Sequence, residues 1–156
     1  MKIYRLQSSI SVPVSLQEAF AFFENPQNLA RNTPPWLSLS IVSQERIQMR
    51  KGAEIDYRIR WLGLPVRWKT VVTEYEPPFF FVDEQAAGPY AYWRHRHDFK
   101  PTEYGALVSD LVDYALPLGP LGRLAHRMAV RNQLQEIFAY RQNALAAILT
   151  GAIAAK

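Results

Sequence analysis

The fold is decided by the stretch LGRLAHRMAVRNQLQEIFAYRQNALAAI, residues 121–148. Leu121, Leu124 and Met128, then Leu134, Ile137, Phe138, Leu145 and Ile148, recur mostly at three- and four-residue steps, the spacing that aligns side chains along one side of a helix. No proline follows Pro120 within it, while Gly119-Pro120 and Gly122 punctuate its start and Gly151 stands near its end. At 1.5 Å per residue such a helix runs roughly 40 Å, so it needs a broad surface to lie on.

The upstream chain supplies that surface. Six strand patterns follow one another, over Leu37 to Ser43, Ala53 to Trp61, Val66 to Tyr75, Phe79 to Gln85, Tyr92 to Lys100 and Leu107 to Tyr114. They break at Lys51-Gly52, Gly63 to Pro65, Pro77-Pro78, Gly88-Pro89 and Pro101 to Gly105, and separations this short favour sequential antiparallel hairpins. Before them, Ile3 to Val12 reads as a first strand that stops at Pro13. Ser15 with Glu18 three residues on makes a capping-box pattern for a short helix whose apolar face is Leu16, Ala19, Phe20 and Phe23. A second short helix is expected over Pro26 to Arg31, ahead of Thr33-Pro34-Pro35. The expected architecture is α+β: a seven-stranded curved antiparallel sheet, two short helices after strand 1, and one long C-terminal helix closing the open side over a cavity.

At 156 residues, with no internal repeat, low-complexity tract or linker, the chain is expected to form one domain over 1–156, large enough to bury a core unaided. The absence of cysteine excludes disulfides, a thiol nucleophile and cysteine-ligated metals. Eight Tyr, eight Phe and four Trp are many for this length, and rings in such number fill a core or line a cavity. The start MKIYRLQSSI lacks a long apolar run and nothing reaches transmembrane length, so a cytoplasmic protein without membrane insertion is expected. The net charge of +4 comes from scattered basic residues with no dense run, which disfavours nucleic acid while suiting an anionic ligand. No phosphate-cradling glycine loop, G-x-S-x-G, H-E-x-x-H or nucleotide fingerprint occurs.

Along this order of elements stand Thr33-Pro34-Pro35-Trp36-Leu37, Ile55-Asp56-Tyr57-Arg58, Trp68-Lys69-Thr70, Phe81-Val82-Asp83-Glu84-Gln85 and Gly88-Pro89-Tyr90. Trp93-Arg94-His95-Arg96-His97-Asp98-Phe99, Leu116-Pro117-Leu118-Gly119, and Val130-Arg131 through Phe138-Ala139-Tyr140-Arg141 follow them. With these residues the chain resembles the START-like helix-grip superfamily, also called SRPBCC, and its small bacterial ligand-binding and polyketide cyclase/dehydrase-like members. The resemblance covers essentially the whole chain. It implies a hydrophobic molecule held between sheet and helix, in relatives that include polyketide cyclases and lipid carriers.

Period two along residues 93–99 puts Trp93, His95, His97 and Phe99 on one face and Arg94, Arg96 and Asp98 on the other. Two imidazoles among bulky rings are partly desolvated; they suit core hydrogen bonding, ligand anchoring, or catalysis with His95 or His97 as general base. A metal would need a third ligand, for which only His126 and carboxylates such as Asp83, Glu84 or Asp110 offer, so neither metal nor cofactor is expected. On helical spacing His126 falls about 200° from Leu124 and should face solvent. One of Asp83 and Glu84, and one of Asp110 and Asp113, must point inward; a structural ion pair or an anchor for a ligand hydroxyl would each account for Asp110.

Counted from Leu124, Arg131 lands within about 20° of the apolar stripe and is the expected internal cation, with Gln135 beside it and Arg127 and Arg141 snorkelling at the edge. Tyr57, Trp61, Trp68, Phe81 and Trp93 are the expected walls, either of a cavity or of a packed core. Gly63-Leu64-Pro65 and Thr33 to Trp36 are candidates for its rim.

The leading expectation is a binding protein for a small, largely apolar molecule, aromatic or acyl, fixed at its polar end by His95, His97 and Arg131. Its rivals are a cyclase- or dehydrase-type enzyme and a partner-binding module without a small ligand. Ala129 and Tyr140 on the outer helix flank suit ordinary surface or a second subunit, so monomer and homodimer both stand.

Overall fold

The computed structural model describes residues 1–43 and 46–154, with side chains as far as residue 151. Strand β1 (Tyr4–Val12) leads into helix α1 (Leu16–Glu24), then two 3₁₀ turns, Pro26–Asn32 and Pro35–Leu37. Six strands follow: β2 (Ser40–Ile41), β3 (Glu54–Trp61), β4 (Leu64–Glu76), β5 (Phe80–Ala87), β6 (Tyr92–Thr102) and β7 (Gly105–Ala115). The chain closes with α2 (Gly119–Ala125), a π-helical turn (His126–Val130) and α3 (Arg131–Ala154). All strand pairs are antiparallel, in the order β1-β7-β6-β5-β4-β3-β2, as the short hairpins require. This is the helix-grip architecture that the sequence pattern implies.

The capping box starts α1 as expected. The Glu18 amide donates to Ser15 Oγ at 3.1 Å and the Ser15 amide to the Glu18 carboxylate at 3.0 Å. Its buried face of Leu16, Ala19, Phe20 and Phe22 joins Phe81, Phe99, Val108, Leu145 and Leu149 in one core cluster. A second cluster gathers Ile59, Trp68, Tyr90, Val112, Tyr114, Val130, Leu134 and Phe138. The candidate wall residues belong to these clusters, Phe81 to the first and Trp68, with Tyr57, Trp61 and Trp93 packed on it, to the second.

Three elements differ from the sequence reading. The second short helix is a 3₁₀ turn, and β2 keeps only two residues. Tandem Pro34-Pro35 starts another 3₁₀ turn, and Ser38, in the left-handed region at φ 48°, ends it, so Leu37 is buried in a turn and not in a strand. The terminal helix is broken in register by the π-helical turn, which inserts residues relative to the 3.6-residue period. Leu121, Leu124 and Met128, expected on the buried stripe, are therefore 68%, 52% and 73% exposed, while Gly122, His126 and Val130 face inward. Gly122 is needed there, because a Cβ would collide with the Pro117 carbonyl oxygen. No helix among the described residues is long and apolar enough to cross a membrane.

Candidate functional site

A cavity of about 170 Å³ separates α3 from the sheet. Its walls include Tyr57, Trp61, Trp68, Phe81, Tyr90 and Trp93 from the strands, Leu134, Ile137 and Phe138 from α3, and Phe22 and Phe23 from α1. Two residue periods make this wall. Alternation along β3 and β6 turns Tyr57 and Trp61, then Trp93, His95 and His97, to one face, and four-residue spacing on α3 brings Leu134 and Phe138 over them. The rings hold one another: Trp68 meets Trp93 edge-on at 5.3 Å between centroids, and Tyr90 lies 5.6 Å from Trp68 and 4.8 Å from Trp93. Their polar tips are used internally. Trp61 Nε1–H donates to Tyr90 Oη at 3.2 Å, Trp68 Nε1–H donates to Thr70 Oγ1 at 3.1 Å, and the Tyr57 hydroxyl sits 3.1 Å from the same Thr70 oxygen. Burial holds the Tyr57 and Tyr90 phenols neutral by pushing their pKa values up.

Beneath Phe138 lies an interlaced chain of two carboxylates and two imidazoles. His97 stands opposite Asp110 on β7, and His95 opposite Asp83 on β5, yet the main bonds run diagonally. Nε2 of His95 is 2.7 Å from Asp110 Oδ1, and Nε2 of His97 is 2.9 Å from Asp83 Oδ2. Nδ1 of His97 also lies 3.1 Å from Asp110 Oδ1, close enough for ion pairing but off the hydrogen-bond line. Both histidines are about 95% buried, and their rings are 3.8 Å apart.

Burial is the largest effect on each group, and neighbours decide the outcome. It lowers His95, reinforced by the adjacent His97. For His97 burial is outweighed by Asp110 and Asp83, so the value rises; the same bonds hold Asp83 below, and Asp110 well below, the ordinary carboxylate value despite burial. The surroundings thus favour the neutral form of His95 and the protonated form of His97, which two carboxylates clasp. Asp83, His95 and His97 offer donor atoms within 4.8 Å of one another, the donor set of a metal centre, but the Nε2 and carboxylate atoms named above are already bonded to each other.

Of the residues singled out in the sequence, Tyr57, Trp61, Trp68, Phe81, Trp93, His95 and His97 line the cavity. Asp110 is the inward member of its pair, while Asp113 points out to Arg5 at 2.7 Å. Arg131 and Gln135 are placed elsewhere. Both are exposed and line a separate open groove between α3 and β1, with Lys2, Arg5, Arg123 and Arg127. A register counted from Leu124 follows the outer face, because Leu124 is itself 52% exposed and lines the same groove. His126, expected in solvent, is buried: it stacks on Tyr4 at 3.5 Å and shares a 2.9 Å hydrogen bond with the Tyr114 hydroxyl. At the rim, Thr33 lines the cavity, Trp36 is half-exposed against Tyr140, and Leu64 is exposed away from it.

The cation that does line the cavity is Arg141, joined by Asn32, Gln133 and Asp83. Counted from Leu134, beyond the π-helical turn, Arg141 falls within about 20° of the buried stripe, so a register begun there would have found it.

The profile of the family described as polyketide cyclase / dehydrase and lipid transport matches residues 12–138. No curated protein matches the chain. Among solved structures, a protein from Thermus thermophilus, TTHA0849, is 17% identical with a TM-score of 0.68, the match covering 97% of this chain and 99% of that one. The Zhui aromatase/cyclase from Streptomyces sp. R1128 is 9% identical with a TM-score of 0.79, covering 97% and 96%. A START superfamily protein from Mycobacterium smegmatis is 12% identical with a TM-score of 0.67, covering 95% and 98%. At these identities the likeness is one of fold.

Proposed function

The chain belongs to the polyketide cyclase / dehydrase and lipid transport family, and from that premise we propose that it binds a small, largely apolar molecule in the cavity between the sheet and α3. The observation that carries this reading is the cavity itself, about 170 Å³ walled by aromatic rings between the sheet and α3. The volume matches cavities that admit one aromatic ring, about 150 Å³. Native mass spectrometry of the protein purified from a native-like host, beside its denatured mass, tests the reading. A small molecule retained by the folded chain and released on denaturation is expected; bare protein that also takes up no added small aromatic compound would overturn it.

A second reading, chemistry of the cyclase or dehydrase type, is favoured by the carboxylate-oriented imidazoles. A general base has to be held in one orientation by a third group, and Asp110 holds His95 in that way at the cavity wall. His95→Ala and His97→Ala separate the two readings. Binding weakened modestly marks anchoring, whereas ligand still bound with turnover abolished marks catalysis.

A further inference from the structure

Buried polar atoms without a hydrogen-bond partner are uncommon, and each asks for an explanation. Among the described residues there are four, Asn32 Oδ1, His97 Nδ1, Gln133 Oε1 and Arg141 Nε, and all four residues line the cavity. His97 Nδ1 is answered by the nearby Asp110 charge. Arg141 is the exception that matters. Among the described residues it has no hydrogen-bond or ion-pair partner; its guanidinium carbon sits 5.2 Å from the Phe138 ring, and its charge is felt by Asp83 and by the Tyr57 hydroxyl across the cavity. Asp83 does not neutralise it, because His97 already holds that carboxylate at 2.9 Å. A guanidinium that lines a ring-walled cavity without an anion is a site awaiting a planar oxyanion, which it can grip with two parallel N–H donors.

We infer that the ligand is a small aromatic carboxylic acid, its ring among Trp68, Tyr57 and Phe138 and its carboxylate on Arg141. This deepens the proposed binding function and rests on it. The ring follows from the volume, which suits one six-membered ring, and from walls that offer edges and faces. The acid follows from the unpaired cation. The amides of Asn32 and Gln133 supply hydrogen-bonding capacity for a hydroxyl or amino substituent.

The test compares benzoate, benzamide and toluene, which share one ring and differ at the polar end, by calorimetric or NMR titration of the wild-type chain, Arg141→Met and Arg141→Lys. Benzoate is expected to bind at least about tenfold more tightly than benzamide. That preference should vanish in Arg141→Met and persist in Arg141→Lys, while toluene binds all three proteins alike. Toluene bound equally by the three proteins confirms that each variant folds with its cavity intact. If toluene binds but benzoate and benzamide are indistinguishable, or if Arg141→Met leaves benzoate unaffected, the acid assignment is overturned and the apolar cavity stands. If no probe binds the wild-type chain, the binding function fails and this inference with it.

Discussion

Replacing Asp110 by asparagine separates charge from shape at the centre of the buried cluster. Its Oδ1 lies 2.7 Å from Nε2 of His95 and 3.1 Å from Nδ1 of His97, so one oxygen answers two rings. Asparagine keeps an acceptor for His95 but withdraws the charge that supports protonated His97. Charge-assisted hydrogen bonds contribute about 1.5–3 kcal/mol, and stranding one member of a buried ion pair costs about 3–5 kcal/mol. Because Asp83 still holds His97, the lower end applies: a loss of about 3 kcal/mol near pH 6, or roughly 6–12 °C in Tm for a chain of this length. The pH dependence has a definite sign. His97 is raised above its ordinary value of 6.5, since its two carboxylates outweigh burial. A raised value stabilises fully below the ordinary one and fades as the pH climbs through the folded one. The loss in Asp110→Asn should therefore be largest near pH 6 and shrink toward about pH 9. Urea unfolding at both pH values, with NMR titration of the His97 ring, measures it. An equal loss at the two pH values, or a His97 midpoint that stays where it was, would refute the reasoning.

Two further outcomes follow from α2 and the π-helical turn after it. His126→Phe keeps the stack on Tyr4 but loses the bond to Tyr114, and should cost about 1–3 kcal/mol at neutral pH by urea unfolding. Burial, with Arg131 and Lys2, lowers the His126 pKa, so the wild-type chain loses its stability advantage as the pH falls below the ordinary 6.5; the gap between the two proteins should narrow at about pH 5 and must not widen. Gly122→Ala drives a Cβ against the Pro117 carbonyl and should cost about 1–3 kcal/mol in thermal unfolding, whereas an unchanged Tm would show that the α2 junction yields freely.

Strand faces were legible in the sequence because alternation is local. Trp93, His95, His97 and Phe99 share a face whatever the rest of the chain does, and each is placed inward. Long-range pairing decided what alternation left open. Asp83 is inward because it shares a β5 face with Phe81 and stands opposite inward His95 on β6, and Asp110 because it stands opposite inward His97. The terminal helix was legible as an element but not in its phase. Leu121, Leu124 and Met128 imitate a buried stripe, and only the π-helical turn at His126–Val130 reveals that the true stripe runs through Val130, Leu134, Phe138, Leu145 and Leu149. Within α3, Arg131 and Gln135 lie about 60° and 100° around the helix from Leu134 and fall in the outer groove, whereas Arg141 lies within about 20° and lines the cavity. The sequence carries no local mark of a π-helical turn, so a phase counted up to it does not carry to the far side.

The central claim is that the space between α3 and the sheet is a binding cavity. Titration of indole against the wild-type chain and against Ile137→Trp, a substitution that fills the cavity from the helix side, tests it most directly. Saturable binding of one indole per wild-type chain, lost in an Ile137→Trp protein of equal or greater stability, is the expected result. Indole bound identically by both proteins would put its site elsewhere and contradict the account.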